Sequence, residues 1–293
     1  MKARLLCTLF PLVAACGPGR QAAWEKPAGA AATAPTGDAA SLTAQAEEAW
    51  KSRGERTSCE TVVAALVQLT AQNPHDAKAL AWLSRAYYLL ADGHLRLANE
   101  NDAMLATFEK GVEAGERAMM ASSTEFAAKV KAGAKVEEAV KLIPAEGQEP
   151  IYWYASNLGK FAVAKGFTTT LFYKDRIFAV MQRVLEIDEK FFHAAPHRYF
   201  GAFYAKAPSF AGGDLGKSKL HFDRALELDP NYFGTKVLYA EFYAPKTEDK
   251  TLFAKLLEEV TAGNPEVLPE LVPEQKLEQQ KAKKLLAEIN EIF

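Results

Sequence analysis

One stretch decides the fold class: Gly212-Gly213-Asp214-Leu215-Gly216-Lys217-Ser218-Lys219-Leu220-His221-Phe222-Asp223-Arg224-Ala225-Leu226-Glu227-Leu228-Asp229-Pro230. The glycine pair breaks a preceding helix, Asp214 can cap a new one, and Pro230 ends it. Ser218, Phe222 and Ala225 are spaced i, i+4 and i+7, so they lie on one face of that helix. The small residues let a neighbouring helix approach closely, and the phenylalanine fills the space between them. The stretch therefore predicts the second helix of a helical hairpin.

The same spacing recurs along the chain, which predicts a series of such hairpins. It is found at Val62-Leu66-Leu69, Gly111-Gly115-Ala118, Ile177-Met181-Val184 and Phe253-Leu257-Val260. A small or apolar triplet followed by proline is typical of the tetratricopeptide repeat. Together with the opening stretch, these copies lie about 49, 66, 41 and 35 residues apart in chain order, against roughly 34 in a regular array. The sequence therefore predicts an all-α fold of degenerate tetratricopeptide-type hairpins with insertions, notably 125–150. We expect a compact bundle or short superhelix rather than an open solenoid.

The composition is that of a globular helical domain without an excess of charge. Of 293 residues, 49% are hydrophobic, and 35 basic side chains balance 37 acidic ones. This balance excludes the basic surface that is typical of nucleic-acid-binding proteins. The cysteines, Cys7, Cys16 and Cys59, are too few and too scattered for a disulfide framework or a zinc site. We expect Cys59 to pack as a small apolar residue.

The N-terminus has the parts of a secretory signal. Two basic residues among the first four precede an apolar run over 5–13, and the small pair Ala14-Ala15 stands directly before Cys16. Small residues at that point fit a signal peptidase. The cysteine makes the segment similar to a bacterial lipoprotein signal, which implies cleavage after residue 15 and a lipid on Cys16. A plain signal peptide, or a buried helix start with a chance cysteine, is the alternative.

Three segments follow from this interpretation: a signal peptide over 1–15, a lipid anchor and flexible tether over 16–40, and a helical-repeat domain over 41–293. The tether is rich in Ala, Gly, Pro and Thr and cannot bury enough apolar surface to fold. Ser41 is expected to cap the first helix of the domain. Gly17, rather than Asp, follows the lipid cysteine, which is similar to lipoproteins sorted to the outer membrane. We therefore expect a periplasmic protein anchored by lipid to the outer membrane.

Four later segments resemble the T-component of tetratricopeptide-associated TRAP transporters, the TatT family. They are EPIYWYASNLGK (149–160), PHRYFG (196–201), APSFAGGD (207–214) and VLYAEFY (237–243). The resemblance covers about 76–293 and is most specific over 196–230. It implies a periplasmic lipoprotein that partners the solute-binding protein of a TRAP uptake system. It further implies a homotrimer whose subunits hold a cavity or pore suited to a small, partly apolar organic ligand.

The resemblance implies neither catalysis nor a cofactor, and no Ser-His-Asp, paired-carboxylate or Cys-His set stands out in the sequence. An alternative function is that of a tetratricopeptide lipoprotein scaffold, which would grip peptide segments during envelope or outer-membrane assembly. His193 and His197 have a spacing that can bind a metal on one helix. Pro196 argues against such a site, because it favours the first turn of a helix and pushes its predecessor out of helical geometry.

Aromatic residues on the presumed inner helices are candidates for the walls of a ligand passage. Arg198 could pair with an anionic ligand or with Asp214. The predicted ligand-binding residues are Tyr87, Tyr154, Arg198, Tyr204, Tyr239 and Tyr243. For each tyrosine taken separately, packing between helices is the alternative. Tyr152 and Trp153 point about 100° apart on a helix, so they cannot face one cavity equally.

Overall fold

The computed structural model describes residues 19–26 and 37–293. Within these residues the chain forms fourteen α-helices and no β-strand, so the expected all-α fold is confirmed. The helices are α1 (Ala39–Lys51), α2 (Arg56–Gln72), α3 (Ala77–Tyr88), α4 (Asn101–Ser122), α5 (Thr124–Lys131), α6 (Val136–Ala139), α7 (Gln148–Lys165), α8 (Phe167–Ile187), α9 (Phe191–Lys206), α10 (Leu215–Leu228), α11 (Phe233–Phe242), α12 (Lys250–Ala262), α13 (Val272–Ala287) and α14 (Ile289–Ile292).

Aspartate residues cap several of these helices. Asp214 Oδ1 accepts a hydrogen bond from the backbone N–H of Lys217 at 3.0 Å, as expected for the first residue of the motif helix α10. Asp38 Oδ1 accepts one from the backbone N–H of Ser41 at 2.9 Å. Helix α1 therefore begins before Ser41, and the prediction that Ser41 is the cap is wrong. Each aspartate satisfies an N–H group that has no partner inside its own helix.

The faces predicted from the repeated spacing are buried, except that Leu69 of α2 is only partly buried. In α10, Ser218, Phe222 and Ala225 are fully buried. The corresponding residues of α8 and α12 are buried as well, namely Ile177, Met181, Val184, Phe253, Leu257 and Val260. Helix α9 approaches α10 closely at Gly201, where a Cβ would lie only 2.7 Å from the ring of Phe222. The Ser218 hydroxyl donates to the Gly201 carbonyl at 2.7 Å and joins the two helices of this hairpin.

Helix α13, the longer of the last two helices, closes the bundle. It packs against α11 and α12, and it also contacts the segment that follows α3. Arg53, between α1 and α2, donates from Nε and Nη2 to the carboxylate of Glu274 in α13 at 2.9 and 2.7 Å. The two ends of the domain are thereby joined, which gives the compact bundle that was expected. The tetratricopeptide type of its hairpins stays a prediction.

Helix α3 continues without a break into a π-helical segment, Leu89–Leu95. All seven of its residues are buried, including Asp92 and His94. Turns of π-helix are rare and occur often at functional sites. The segment carries the carboxylate of Asp92 into the interior of the bundle.

Residues 19–26 pack against the bundle. The ring of Trp24 meets that of Phe126 in α5 edge-on, with centroids 6.1 Å apart. Arg20 Nη1 donates to Glu116 Oε1 in α4 at 2.6 Å, and Glu116 is only 1% exposed. A buried carboxylate of this kind is tolerated because a cation pairs with it.

This docking differs from the expectation of a free tether over 16–40, because one of its described parts, 19–26, packs on the folded body and the other, 37–40, runs into helix α1. The predicted signal segment 1–15 and the predicted lipid site Cys16 lie outside the described residues. Neither 19–26 nor 37–293 contains a helix that is long and apolar enough to cross a membrane.

Candidate functional site

A cavity of about 540 Å³ lies inside the bundle, between α7, α8, α9, α11 and the π-helical segment. Its volume is in the range that holds small organic molecules. One face of α8 supplies a long strip of its wall through Phe167, Leu171, Lys174, Ile177 and Met181. These residues recur every three or four positions, so they share one side of the helix.

Most of the cavity wall is apolar and aromatic. Tyr152 of α7 lies 5.7 Å from Phe192, measured between ring centroids, and Tyr199 lies 6.0 Å from Phe203 on α9. Burial raises the pKa of Tyr88 and of Tyr199 above the ordinary value. Both hydroxyls are therefore protonated at neutral pH. Such rings offer a large rigid apolar surface together with a few hydrogen-bonding groups.

The inner end of the cavity carries a charge network centred on Asp92. Lys160 Nζ lies 2.6 Å from Asp92 Oδ1, and Lys281 Nζ lies 2.5 Å from Asp92 Oδ2. Arg96 approaches the same carboxylate at 3.6 Å and pairs with Glu241 at 2.5 Å. Burial by itself would raise the pKa of Asp92, but the surrounding cations hold it well below its ordinary value. The carboxylate is therefore ionised and neutralised by the protein itself.

Lys206, at the end of α9, is a cavity-lining cation outside the network around Asp92. It lines the cavity, and no carboxylate of the described residues lies within ion-pair distance of it. Its ammonium lies 5.1 Å from the centroid of the Phe242 ring. Burial lowers the pKa of Lys206; the carboxylate of Glu241 opposes this effect, while Lys160 and Arg96 lower the pKa further. An anionic group in the cavity would relieve this repulsion, so Lys206 is the cation best placed to bind one.

A strained turn at the start of α9 forms part of the wall. Phe192, His193 and Ala194 have φ values of 42°, 59° and 58°, in the left-handed region. That conformation costs a residue with a side chain roughly 1–2 kcal/mol. The guanidinium of Arg198 holds the turn by donating to the carbonyls of His193 and Phe192, and it stacks 4.2 Å from the Tyr232 ring centroid.

The turn places Phe192 between two cavities. The ring lines the main cavity and also a second cavity of about 40 Å³, which reaches toward α13. The neighbours Tyr152 and Trp153 line different cavities: Tyr152 lines the main cavity and Trp153 the smaller one. The expectation that these neighbours face different directions agrees with this placement. Backbone strain is often concentrated at ligand-binding sites.

Of the six predicted ligand-binding residues, the cavity wall includes Arg198. Arg198 does not pair with Asp214, because its guanidinium binds backbone carbonyls while Asp214 caps α10. Tyr154 is 0% exposed and faces α4, where a Cβ on Gly115 would lie 2.7 Å from the Tyr154 Cα. Tyr87 packs with the α1–α2 core, away from the cavity.

The other three tyrosines also lie outside the cavity wall. Tyr239 stacks on Phe222 with centroids 4.6 Å apart, and its hydroxyl donates to Asp223 at 3.2 Å. Tyr243 meets Tyr239 edge-on at 5.2 Å, and Tyr204 stacks on a histidine of α10. The ring contacts of Tyr204 and of Tyr239 with α10 pack neighbouring helices together, whereas Tyr243 contacts Tyr239 within one turn of α11. A role of these tyrosines in ligand binding stays a prediction.

The histidines that were considered as metal ligands have protein partners. His193 Nδ1 lies 2.5 Å from Asp229 Oδ2. His197 uses both ring nitrogens, at 2.9 Å from His221 Nδ1 and at 3.1 Å from Glu189 Oε2. His193 itself lies in the left-handed turn and His197 in the regular helix that follows, so these two histidines do not share one helical face. Among the described residues there is no group of three or more side chains placed to hold a metal ion.

A family model described as TRAP transporter T-component matches residues 68–293, well over half of the chain. The chain belongs to this family. The resemblance expected over 76–293 is therefore confirmed, and the match begins within α2. The family is a transporter accessory component and not a known enzyme family. None of the curated proteins compared with the chain matches it.

The sequence of this family member did not lead us to predict the charged residues of the cavity, which are Asp92, Lys160, Lys206 and Lys281. A weak local signal exists for Asp92, which interrupts an apolar run from Tyr87 to Leu95. An acidic side chain inside a buried helix needs a cation to neutralise it, but the apolar run does not indicate which residue supplies that cation. The two lysines nearest to it lie on α7 and α13, far away in the chain.

Proposed function

We propose that the chain is a lipid-anchored periplasmic accessory component of a TRAP-type uptake system, which binds the solute-binding protein of that system. Membership of the T-component family over 68–293 carries this proposal. The lipid is attached at Cys16, after removal of 1–15, and the anchor lies in the outer membrane. The functional unit is a homotrimer.

We propose further that the cavity binds a small organic ligand with an apolar body and one acidic group. The volume of about 540 Å³ and the aromatic walls suit the apolar body. Lys206 supplies a positive charge on the cavity wall that forms no direct ion pair within the described residues, although Glu241 lies near enough to raise its pKa. The ion pairs around Asp92 leave no comparable excess of negative charge, which disfavours a cationic ligand.

A pull-down from the native envelope tests the partner. The tagged, lipidated chain is cross-linked in cells, solubilised in mild detergent and purified, and the retained proteins are identified by mass spectrometry. We expect a TRAP solute-binding protein among them. If the retained material consists instead of assorted unfolded envelope proteins, the scaffold function is favoured and the TRAP partner is excluded.

Native mass spectrometry of the same preparation tests the ligand and the trimer. We expect a trimeric mass and a small molecule that is released when the protein is denatured. The Lys206→Met variant should retain that molecule at least tenfold less, whereas Lys255→Met, which changes an exposed lysine outside the cavity wall, should retain it fully. Equal retention by both variants would exclude the proposed role of Lys206.

A further inference from the structure

An apolar rim lies at one end of the cavity. It consists of exposed side chains at the end of the bundle where α7 and α9 finish and α8 begins: Val163, Phe167, Leu171, Phe172 and Phe210. Phe167 is 59% exposed, Phe172 54% and Phe210 79%. Val163, Phe167 and Leu171 also line the cavity, so the cavity opens within this rim. A cluster of exposed apolar side chains marks a surface that binds other apolar matter.

The N-terminal segment ends at the same rim. A Cβ on Gly19 would lie 3.0 Å from Phe172 Cε1, and the backbone N–H of Arg20 donates to the Tyr173 hydroxyl at 2.8 Å. Cys16 precedes Gly19 by three residues, and three extended residues span at most about 11 Å. A lipid on Cys16 is therefore attached within about 11 Å of a point that is docked against Phe172.

We propose that the occupant of the apolar rim is the lipid bilayer, so that the cavity opens at the membrane surface. The inference rests on the lipid attachment proposed at Cys16. Because Gly19 is docked, too little chain lies between it and the lipid to hold the domain away from the membrane. The rim then lies at the boundary between headgroups and acyl chains, where aromatic and aliphatic side chains beside a lipid anchor add to membrane binding. A partly apolar ligand enters the cavity from the bilayer.

Fluorescent labelling of the lipidated chain in vesicles tests this orientation. Cys59 is 0% exposed and Cys16 is occupied by lipid, so a new cysteine can be labelled selectively. Phe210→Cys carries an NBD fluorophore on the rim without touching the cavity wall or the residues against which Gly19 docks. Leu220→Cys, at a side chain that is 69% exposed on α10, is the matched control. The probe lipid is phosphatidylcholine with a nitroxide near the start of the acyl chain.

We expect NBD at residue 210 to shift its emission to shorter wavelength and to be quenched at least threefold by the nitroxide lipid. NBD at residue 220 should be quenched by aqueous iodide instead. If intact mass shows the lipid and the chain binds vesicles, but residue 210 stays accessible to iodide, the inference is wrong while the anchor stands. If residue 210 is protected to the same degree in soluble Cys16→Ser protein, a second copy covers the rim, and the bilayer is excluded. If no lipid is found on Cys16, the proposed lipid attachment and the proposed contact of the rim with the bilayer are both excluded.

Discussion

Lys281 of helix α13 and Asp92 of the π-helical segment form an ion pair with Nζ and Oδ2 2.5 Å apart, although 189 residues separate them in the chain. Both side chains are almost fully buried, at 6% and 7% exposed. Lys160 binds the other carboxylate oxygen of Asp92 at 2.6 Å. One carboxylate thus connects α7, α13 and the π-helical segment at the inner end of the cavity.

The first prediction concerns this carboxylate. Asp92→Ala removes the shared partner of Lys160 and Lys281 and leaves buried ammonium groups undercompensated. We expect the free energy of unfolding to fall by about 3–5 kcal/mol, measured by urea denaturation. Glu48→Ala, which removes an exposed partner of Lys51, should change it by less than about 1 kcal/mol. Similar losses for both variants would contradict a stabilising role for the Asp92 network.

The second prediction concerns the open space beside Gly159 in α7. Gly159 lines the cavity, and a Cβ placed on it would meet no atom within 4 Å. Gly159→Leu should therefore fill the cavity and remove the ligand from purified protein in native mass spectrometry. Stability should not fall, because replacing a glycine inside a helix gains roughly 0.5–1 kcal/mol. Gly111→Leu is the contrasting variant, since a Cβ there lies 2.2 Å from Asn157 Oδ1 and should lower stability.

The third prediction concerns the left-handed turn that Arg198 holds. Ala194 has φ 58° and is 1% exposed, whereas Ala225 lies inside helix α10 and is 0% exposed. Glycine relieves left-handed strain but destabilises a right-handed helix. We expect Ala194→Gly to be more stable than Ala225→Gly by about 2 kcal/mol in urea denaturation, since both lose one buried methyl group. Equal values would mean that the turn carries no strain.

The fourth prediction concerns pH. Burial and the neighbouring His197 lower the pKa of His221 to about 4, against roughly 6.5 for a histidine in the unfolded chain. Between these values the unfolded state binds more protons, so stability falls as the pH is lowered from about 6.5 toward 4. Burial lowers the pKa of His94 and His197 as well, in the same direction.

Thermal melts followed by circular dichroism at pH 7 and pH 5 check the role of His221. We expect His221→Gln to reduce the drop in Tm between the two pH values, because the variant has no proton to take up at that position. His75→Gln, which changes an exposed histidine, should leave the drop as it is in the wild type. An unchanged drop in His221→Gln would show that other groups carry the pH dependence.

The fifth prediction concerns the anchor. Cys16→Ser removes the acceptor for lipid, so the protein should move from the membrane pellet to the soluble periplasmic fraction, as followed by immunoblot. Cys7→Ser is the matched control, because it lies in the segment proposed to be removed and should leave the protein in the pellet. Retention of the Cys16→Ser protein in the membrane would exclude lipid attachment at this cysteine.

Much of the fold could be predicted because it depends on features that lie close together in the chain. The spacing of Ser218, Phe222 and Ala225 defines one helical face, and any helix with that face must bury it. Asp214 caps the same helix through a residue three positions away. The start of α1 was misplaced because Asp38 and Ser41 are both good caps and stand within one turn of each other.

The sequence by itself determined the helical class, the buried faces and the family, because periodicity and local motifs are properties of neighbouring residues. Only the tertiary structure decided which side chains form the cavity. Lys281 meets Asp92 across 189 residues, and whether a tyrosine lines a cavity or packs in the core depends on how its helix is rotated against others. The tertiary structure also decided that residues 19–26 dock on the domain. The groove that receives Arg20 and Trp24 exists only once α4, α5 and α8 are assembled.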